Sequence, residues 1–89
     1  MEEMTKAVLA YQAGAGGLER ILADLSVVAY GYPLRKRGLT EDDCGDFLLH
    51  VQPRLEAMIE RFDYHGVEFL AYFRTTLRYQ MKSYKRKRH

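Results

Sequence analysis

The spacing of apolar residues is the feature that most limits how this chain can fold. Apolar side chains recur at steps of three and four in every periodic segment, and no stretch alternates apolar with polar residues as a half-buried strand does. The chain has only 89 residues, 47% of them apolar, so it can support one small core but no deep enzyme cleft. The sequence therefore predicts a single domain over residues 1–89, an all-α compact bundle of three or four helices, that is not an enzyme.

Glycine and proline divide the first half of the chain into two helices. A short leading helix over residues 3–13 ends in a glycine-rich turn. The second helix covers residues 18–30 with an apolar stripe along one face. Gly31 is expected to cap it in the left-handed conformation, and Pro33 cannot continue it, so the helix should stop or kink sharply there.

Two further helices are predicted in the second half. Thr40 is a plausible N-cap for the third, and acidic residues follow it, which suits the positive end of the helix dipole. The helical spacing of apolar residues survives Pro53, so we expect a kink, or two short helices that meet at Gln52. After a turn with the signal Asp-Tyr-His-Gly, the last helix covers residues 68–84 or beyond.

Charge is distributed very unevenly along the chain. Residues 1–73 hold seven Lys and Arg against twelve Asp and Glu, a net charge of −5, whereas residues 74–89 hold seven Lys and Arg and no acid, a net charge of +7. Such asymmetry indicates contact with nucleic acid or an acidic membrane surface at the C-terminal end, although basic tails that only add solubility are also common.

The last helix carries a cationic row, here called the basic ridge. Its members follow one another at i+4 spacing and are Arg74, Arg78, Lys82 and Arg86. Beside it we expect Tyr72, Thr75 and Tyr79, with both tyrosines exposed. Cations neutralise phosphates and an aromatic ring can stack on an unpaired base, so this pattern favours nucleic-acid binding. The alternative is a solvated face whose tyrosines fill a neighbouring groove or a dimer contact.

Other sites receive little support from the sequence. His50, His65 and His89 lack the spacing of metal ligands, so each is expected to be a surface histidine, and we predict no metal site and no cofactor. Cys44 belongs to an apolar stripe, where a buried thiol is inert, so no catalytic residue is predicted. One cysteine, no apolar run long enough to span a bilayer and an acidic N-terminus predict a cytoplasmic protein without a membrane partner.

Three positions on the third helix point away from its apolar stripe without an evident role, namely Asp46, Leu49 and His50. Leu49 lies near the edge of the stripe, so core packing can explain it. A protein-binding face is the other interpretation.

A set of residues in the second half of the chain has a recognisable spacing, namely Asp46, Phe47, Leu48, Leu55, residues 59–64, Gly66, Phe69, Tyr72, Leu77 and Arg78. In these residues the chain resembles region 2 of the bacterial sigma-70 family, the promoter-recognition subunits of RNA polymerase. A weaker similarity extends to the leading helix and the helix over residues 18–30, particularly to the extracytoplasmic-function class. The chain has Leu49 and His50 where the family usually has Gln-Glu, and Thr75 and Thr76 where housekeeping members have a tryptophan pair.

The resemblance implies a fold of region 2 type with two binding faces. The last helix would bind the minus-ten element of promoter DNA and capture flipped bases. Asp46, Leu49, His50 and Arg54 would contact the coiled coil of the largest subunit of the RNA polymerase core, and an anti-sigma protein is a candidate antagonist. Residues 82–89 would form a basic tail or the start of a linker. The alternatives are a small helical protein-interaction or regulatory module without DNA function and, third, a nonspecific RNA-binding domain.

Overall fold

The computed structural model describes the backbone of residues 1–88 and the side chains of residues 1–87. The α-helices are α1 (Glu3–Gln12), α2 (Leu18–Gly31), α3 (Glu41–Val51), α4 (Leu55–Arg61) and α5 (Phe69–Arg88), and short 3-10 turns cover Tyr32–Arg35 and Gln52–Arg54. No strand occurs in this part of the chain, so the prediction of an all-α bundle is confirmed. α3 and α4 follow each other through one 3-10 turn and together form one broken helix, here called the third rod. With α1, α2 and α5 this gives a bundle of four rods.

Pro53 divides the third rod as predicted. α3 ends at Val51, the 3-10 turn begins at Gln52, and α4 starts at Leu55. A proline has no backbone N–H to donate and its ring crowds the preceding turn, so a continuous α-helix would be strained at this point. The side chains of Val51 and Leu55 are both buried, which shows that the apolar face continues across the break.

Gly31 does not adopt the predicted left-handed conformation. Its φ is −81°, within the helical region, and the chain continues directly into the turn Tyr32–Arg35. Pro33 occupies one of the first positions of that turn, where its missing N–H leaves no hydrogen bond unmade. α2 therefore does end before Pro33, but the left-handed residue of this connection is Gly38, at φ +78°.

The core forms where the apolar stripes of all five helices meet. Its largest members with no exposed surface are Phe47, Phe69 and Phe73. Cys44 is also fully buried, as expected, and burial is the main reason that the pKa of its thiol is raised, with Glu41 and Asp43 adding to the effect. A protonated, enclosed thiol is a poor nucleophile.

α1 caps the N-terminus of α5 although the two helices lie at opposite ends of the sequence. The backbone N–H of Phe69 donates to Thr5 Oγ1 at 2.8 Å, and that of Leu70 donates to Glu2 Oε1 at 2.9 Å. Glu68 accepts a hydrogen bond from the backbone N–H of Glu2, which lowers the pKa of the Glu68 carboxyl. The first amides of a helix have no partner within the helix, so these contacts supply the cap that α5 needs.

The same short helix also holds the end of α4. Gln12 Nε2 donates to the carbonyl oxygens of Ile59 and Phe62, both at 2.8 Å, and the Tyr11 hydroxyl donates to Glu60 at 2.8 Å. Carbonyls at a helix C-terminus lack partners within the helix. α1 therefore connects the end of α4 to the beginning of α5.

Further along, a buried carboxylate attaches α5 to the start of α3. Asp43 is only 5% exposed, and its Oδ2 accepts the backbone N–H of Thr40 at 2.8 Å, which confirms Thr40 as the N-terminal boundary of α3. Its Oδ1 accepts the hydroxyl of Tyr84 at 2.8 Å. Tyr84 itself is buried, as its place in the apolar stripe predicts.

The basic tail is not a separate linker over the described residues. α5 continues to Arg88, so residues 82–88 are helical, while His89 lies outside the described residues. A helix of this length extends about 30 Å, and the whole molecule is 41 Å long in its longest dimension.

Replacing Thr5 with Val tests the cap on α5. Valine keeps the volume of the side chain but leaves the Phe69 amide without its acceptor in a site that is fully buried. We expect the free energy of unfolding to fall by about 1–2 kcal/mol, measured by urea denaturation. Thr5→Ser, which keeps the hydroxyl, should lose less stability than Thr5→Val, and the reverse order would contradict the capping role.

Candidate functional site

The basic ridge lies along one side of α5 because three of its four cations directly follow a buried residue. Arg74 comes directly after Phe73, and Arg78 directly after Leu77. One residue turns a helix by about 100°, so each of these cations lies beside the buried stripe and never within it. All four members of the ridge are exposed, as predicted. Along the helix axis they extend about 18 Å from Arg74 to Arg86.

No acid neutralises the ridge among the described residues. The ion pairs of this part of the chain join Lys6 to Glu3 and His65 to Asp63, and both lie outside α5. Four neighbouring cations without counter-charges produce a positive potential along the helix, which attracts anions from solution.

Tyr79 is exposed next to the ridge. Its side chain is 63% exposed, since it follows Leu77 by two positions and therefore points almost directly away from the core. Lys82 Nζ lies 5.7 Å from the centroid of its ring, a cation–π arrangement. Thr75 is exposed as well, and its hydroxyl donates to the carbonyl of Ala71 at 3.1 Å. The ring and the cation together present an aromatic and a positive surface to a ligand.

The prediction that Tyr72 is exposed beside the ridge is wrong. Its ring packs against Phe62 and Phe69, with centroid distances of 5.3 and 5.7 Å, and the residue is half-buried. Tyr72 precedes Phe73 by one residue whereas Arg74 follows it, so the two side chains lie on opposite flanks of the buried stripe. Tyr72 also follows Phe69 by three residues, so the two side chains are only about 60° apart around the helix axis.

Asp46 and Leu49 form an exposed face on the third rod, whereas Arg54 lies in the 3-10 turn after α3 and lines a different cleft with Tyr72 and Gln80. Leu49 is 68% exposed, so its alternative interpretation as a core residue is wrong. Asp46 and Arg54 are exposed too, and Arg54 Nη1 donates to the backbone carbonyl of His50 at 2.8 Å. The face thus combines an apolar side chain with an acid, a composition suited to a protein contact.

His50 is not the surface histidine that the sequence predicts. It is half-buried, with its ring 5.9 Å from that of Tyr84 and 6.4 Å from that of Phe47. Burial lowers the pKa of its imidazole, and the positive charges of Arg54 and Lys87 lower it further, against a weaker opposing effect of Gln80. His50 Nε2 and Gln80 Oε1 are buried without a hydrogen-bond partner among the described residues. Gln80 therefore raises the pKa of the His50 imidazole through proximity and not through a formed hydrogen bond.

A cleft of about 730 Å³ lies where α3 meets the second half of α5. Asp42, Asp46 and His50 line it from α3, and Tyr84 and Lys87 line it from α5. It adjoins the exposed face of the third rod, so a partner bound at Leu49 could also reach the end of α5. Within the described part of the chain, no group of three or more His, Cys, Asp or Glu residues could hold a metal ion.

The remaining findings concern membrane spans and similarity to known proteins. Over residues 1–88, no helix has both the length and the apolarity needed to cross a bilayer. No protein-family model, curated protein or solved structure matches the chain.

The buried position of His50 predicts a pH dependence of stability. Because its folded pKa lies below the ordinary value of 6.5, the unfolded chain binds a proton more readily, and stability decreases as the pH falls through 6.5 towards the folded pKa. We expect the free energy of unfolding to decrease from pH 7 to pH 5, and less steeply in His50→Gln. Urea denaturation at three pH values measures both slopes, and equal slopes would contradict this role of His50.

Proposed function

We propose that the chain is a module similar to region 2 of the sigma-70 family, which binds single-stranded promoter DNA of the minus-ten element through α5 and the RNA polymerase core through α3. It acts in transcription initiation by binding and not by catalysis. The observation that carries the proposal is the basic ridge, which is exposed, has no described counter-charge and lies beside the exposed ring of Tyr79.

The DNA contact divides between phosphates and bases. Arg74, Arg78, Lys82 and Arg86 would bind phosphates, which positions the strand without reading its sequence. Tyr79 would stack on an unpaired base, and Thr75 next to it would contact a base edge. Tyr72 supports this surface from behind, because its packing on Phe62 and Phe69 makes it a structural residue of α5.

The polymerase contact would use the exposed face of the third rod. Leu49 supplies the apolar centre of the contact and Asp46 an acid beside it, while Arg54 would reach the partner from the 3-10 turn that follows α3. His50 is half-buried next to Leu49 and packs against Tyr84, so it would fix the position of this face relative to α5. The apolar seam of a coiled coil is buried between its own helices and its outer surface is mostly charged, so Asp46 and Arg54 would pair with charges of the polymerase around Leu49.

A protein-interaction module without DNA function is the second candidate, and the exposed apolar side chains favour it. Besides Leu49, Val27 is 73% exposed and Tyr30 49% exposed, and both lie on α2. In that case α5 would keep its charge only for solubility. Nonspecific RNA binding is a third candidate, which a preference for RNA over the promoter strand would indicate.

Replacing Arg78 and Lys82 together with Ala tests the ridge. Each cation that contacts a phosphate releases a counterion on binding, so the double variant should bind the single-stranded minus-ten oligonucleotide more weakly, with a salt dependence flatter by about 1.4 units of log–log slope. Filter binding at several salt concentrations measures this. Lys6→Ala with Arg20→Ala removes the same charge elsewhere and should leave the slope unchanged. Equal slopes in wild type and in the ridge variant would exclude the ridge as the binding surface.

Leu49→Glu tests the polymerase face. A carboxylate at the centre of an apolar contact loses its hydration without gaining a partner, so retention of the polymerase core in a pull-down should fall about tenfold or more, while DNA binding persists. Val67→Glu is a matched control, because Val67 is 55% exposed in the turn before α5. Polymerase binding by a chain that binds no DNA would favour the second candidate, and undiminished binding by Leu49→Glu would place the contact elsewhere.

A further inference from the structure

Two arginines from distant parts of the sequence line one cleft between α2 and α5. Arg35 comes from the 3-10 turn after α2, and Arg74 is the first member of the basic ridge. The cleft measures about 260 Å³ and its other walls are Val27, Val28, Gly31 and Tyr32. Liquid water occupies about 30 Å³ per molecule, so the space accommodates a phosphate group and some of its water.

The turn that carries Arg35 is held in place by aromatic contacts. The ring of Tyr32 stacks on the buried ring of Phe47 at 5.8 Å, and Lys36 Nζ lies 4.9 Å from the centroid of Tyr32. The backbone N–H of Lys36 donates to the carbonyl of Pro33 at 2.9 Å, which closes the turn. Arg35 is therefore presented from a fixed backbone, although its own side chain is exposed.

The cleft is electrostatically incomplete. No acidic residue lines it, and neither arginine takes part in an ion pair with a described residue. Two guanidinium groups in one cleft repel each other unless an anion lies between them. Lys36, directly after the turn, adds a third positive charge against the ring of Tyr32, which lines the cleft.

We propose that this cleft binds a backbone phosphate of the DNA strand, held jointly by Arg35 and Arg74. This inference rests on the proposed function and extends its binding surface from α5 to the connection between α2 and α3. A guanidinium group donates two parallel hydrogen bonds to phosphate oxygens, which suits two arginines that approach one group from different walls. Since Arg74 is also the first member of the ridge, the cleft continues the same row of phosphate contacts.

Single and double alanine variants of the two arginines test the proposal. Arg35→Ala should weaken binding of the single-stranded oligonucleotide about three- to tenfold near 0.1 M salt but flatten the salt slope by less than about 0.7 units, because Arg74 still neutralises the shared phosphate. Arg35→Lys should retain the slope but recover only part of the affinity, because lysine keeps the charge without the planar fork. Arg20→Ala removes an exposed arginine from another part of α2 and is the matched control.

The double variant distinguishes one shared phosphate from two separate ones. If both arginines hold the same phosphate, Arg35→Ala with Arg74→Ala should lose clearly less affinity than the product of the two single losses. Multiplicative losses would overturn the shared site. If Arg35→Ala behaves like Arg20→Ala while the Arg78 and Lys82 variant still loses binding, the cleft proposal fails and the proposed function stands.

Titration with inorganic phosphate separates the cleft from the DNA as a whole. Amide NMR shifts at Gly31 and Tyr32 should move on addition of phosphate at millimolar concentration in the wild type, and not in the double variant. Binding of inorganic phosphate without any binding of DNA would overturn both the cleft's assignment to DNA and the proposed function. Preferential binding of an acidic peptide such as polyglutamate through the same two arginines would likewise overturn the assignment.

Discussion

The N-terminal cap on α5 is the contact on which the functional arrangement depends. α5 carries a concentration of like charges, and cations four residues apart destabilise an isolated helix. Its first amides would also be without partners, because the capping oxygens come from Thr5 and Glu2 and not from the residues just before the helix. The buried stripe and the hydrogen bond from Tyr84 to Asp43 then hold the rest of its length. A helix that would be unstable in isolation is thus ordered by other parts of the fold.

Because the rest of the fold holds α5 in place, this helix can present charged residues on one side and packed residues on another. Because the core fixes the rotation of α5, every residue directly after a buried one is directed to the same flank, and arginines and lysines occupy four of these five positions. The opposite flank holds Tyr72 and Gln80, which pack towards the third rod. Charge and packing are therefore separated around the helix, and the contacts of Tyr84 with Asp43 and His50 join α5 to the helix that carries Leu49.

Local sequence rules were sufficient for most of the helix boundaries. The break at Pro53 and the start at Thr40 depend on backbone chemistry within a few residues, and the structure has both where they were expected. The errors concern contacts between distant elements. The burial of His50 arises from the Tyr84 ring on α5, and the capping role of Thr5 involves a residue 64 positions away. Tyr72 is different, because its angle relative to Phe69 and Phe73 is a local property of the helix. That angle already indicates a residue at the edge of the core.

The helical conformation of Gly31 determines where Arg35 lies relative to the candidate site. A left-handed residue there would have ended α2 abruptly and turned the chain away from the helix axis. With Gly31 helical, the 3-10 turn continues α2 by four residues, Tyr32 reaches Phe47, and Arg35 arrives at the cleft that Arg74 lines from the other side. The reversal is postponed to Gly38, beyond the three basic residues of the connection. The position of one left-handed glycine thus decides whether this basic segment lies beside the ridge or apart from it.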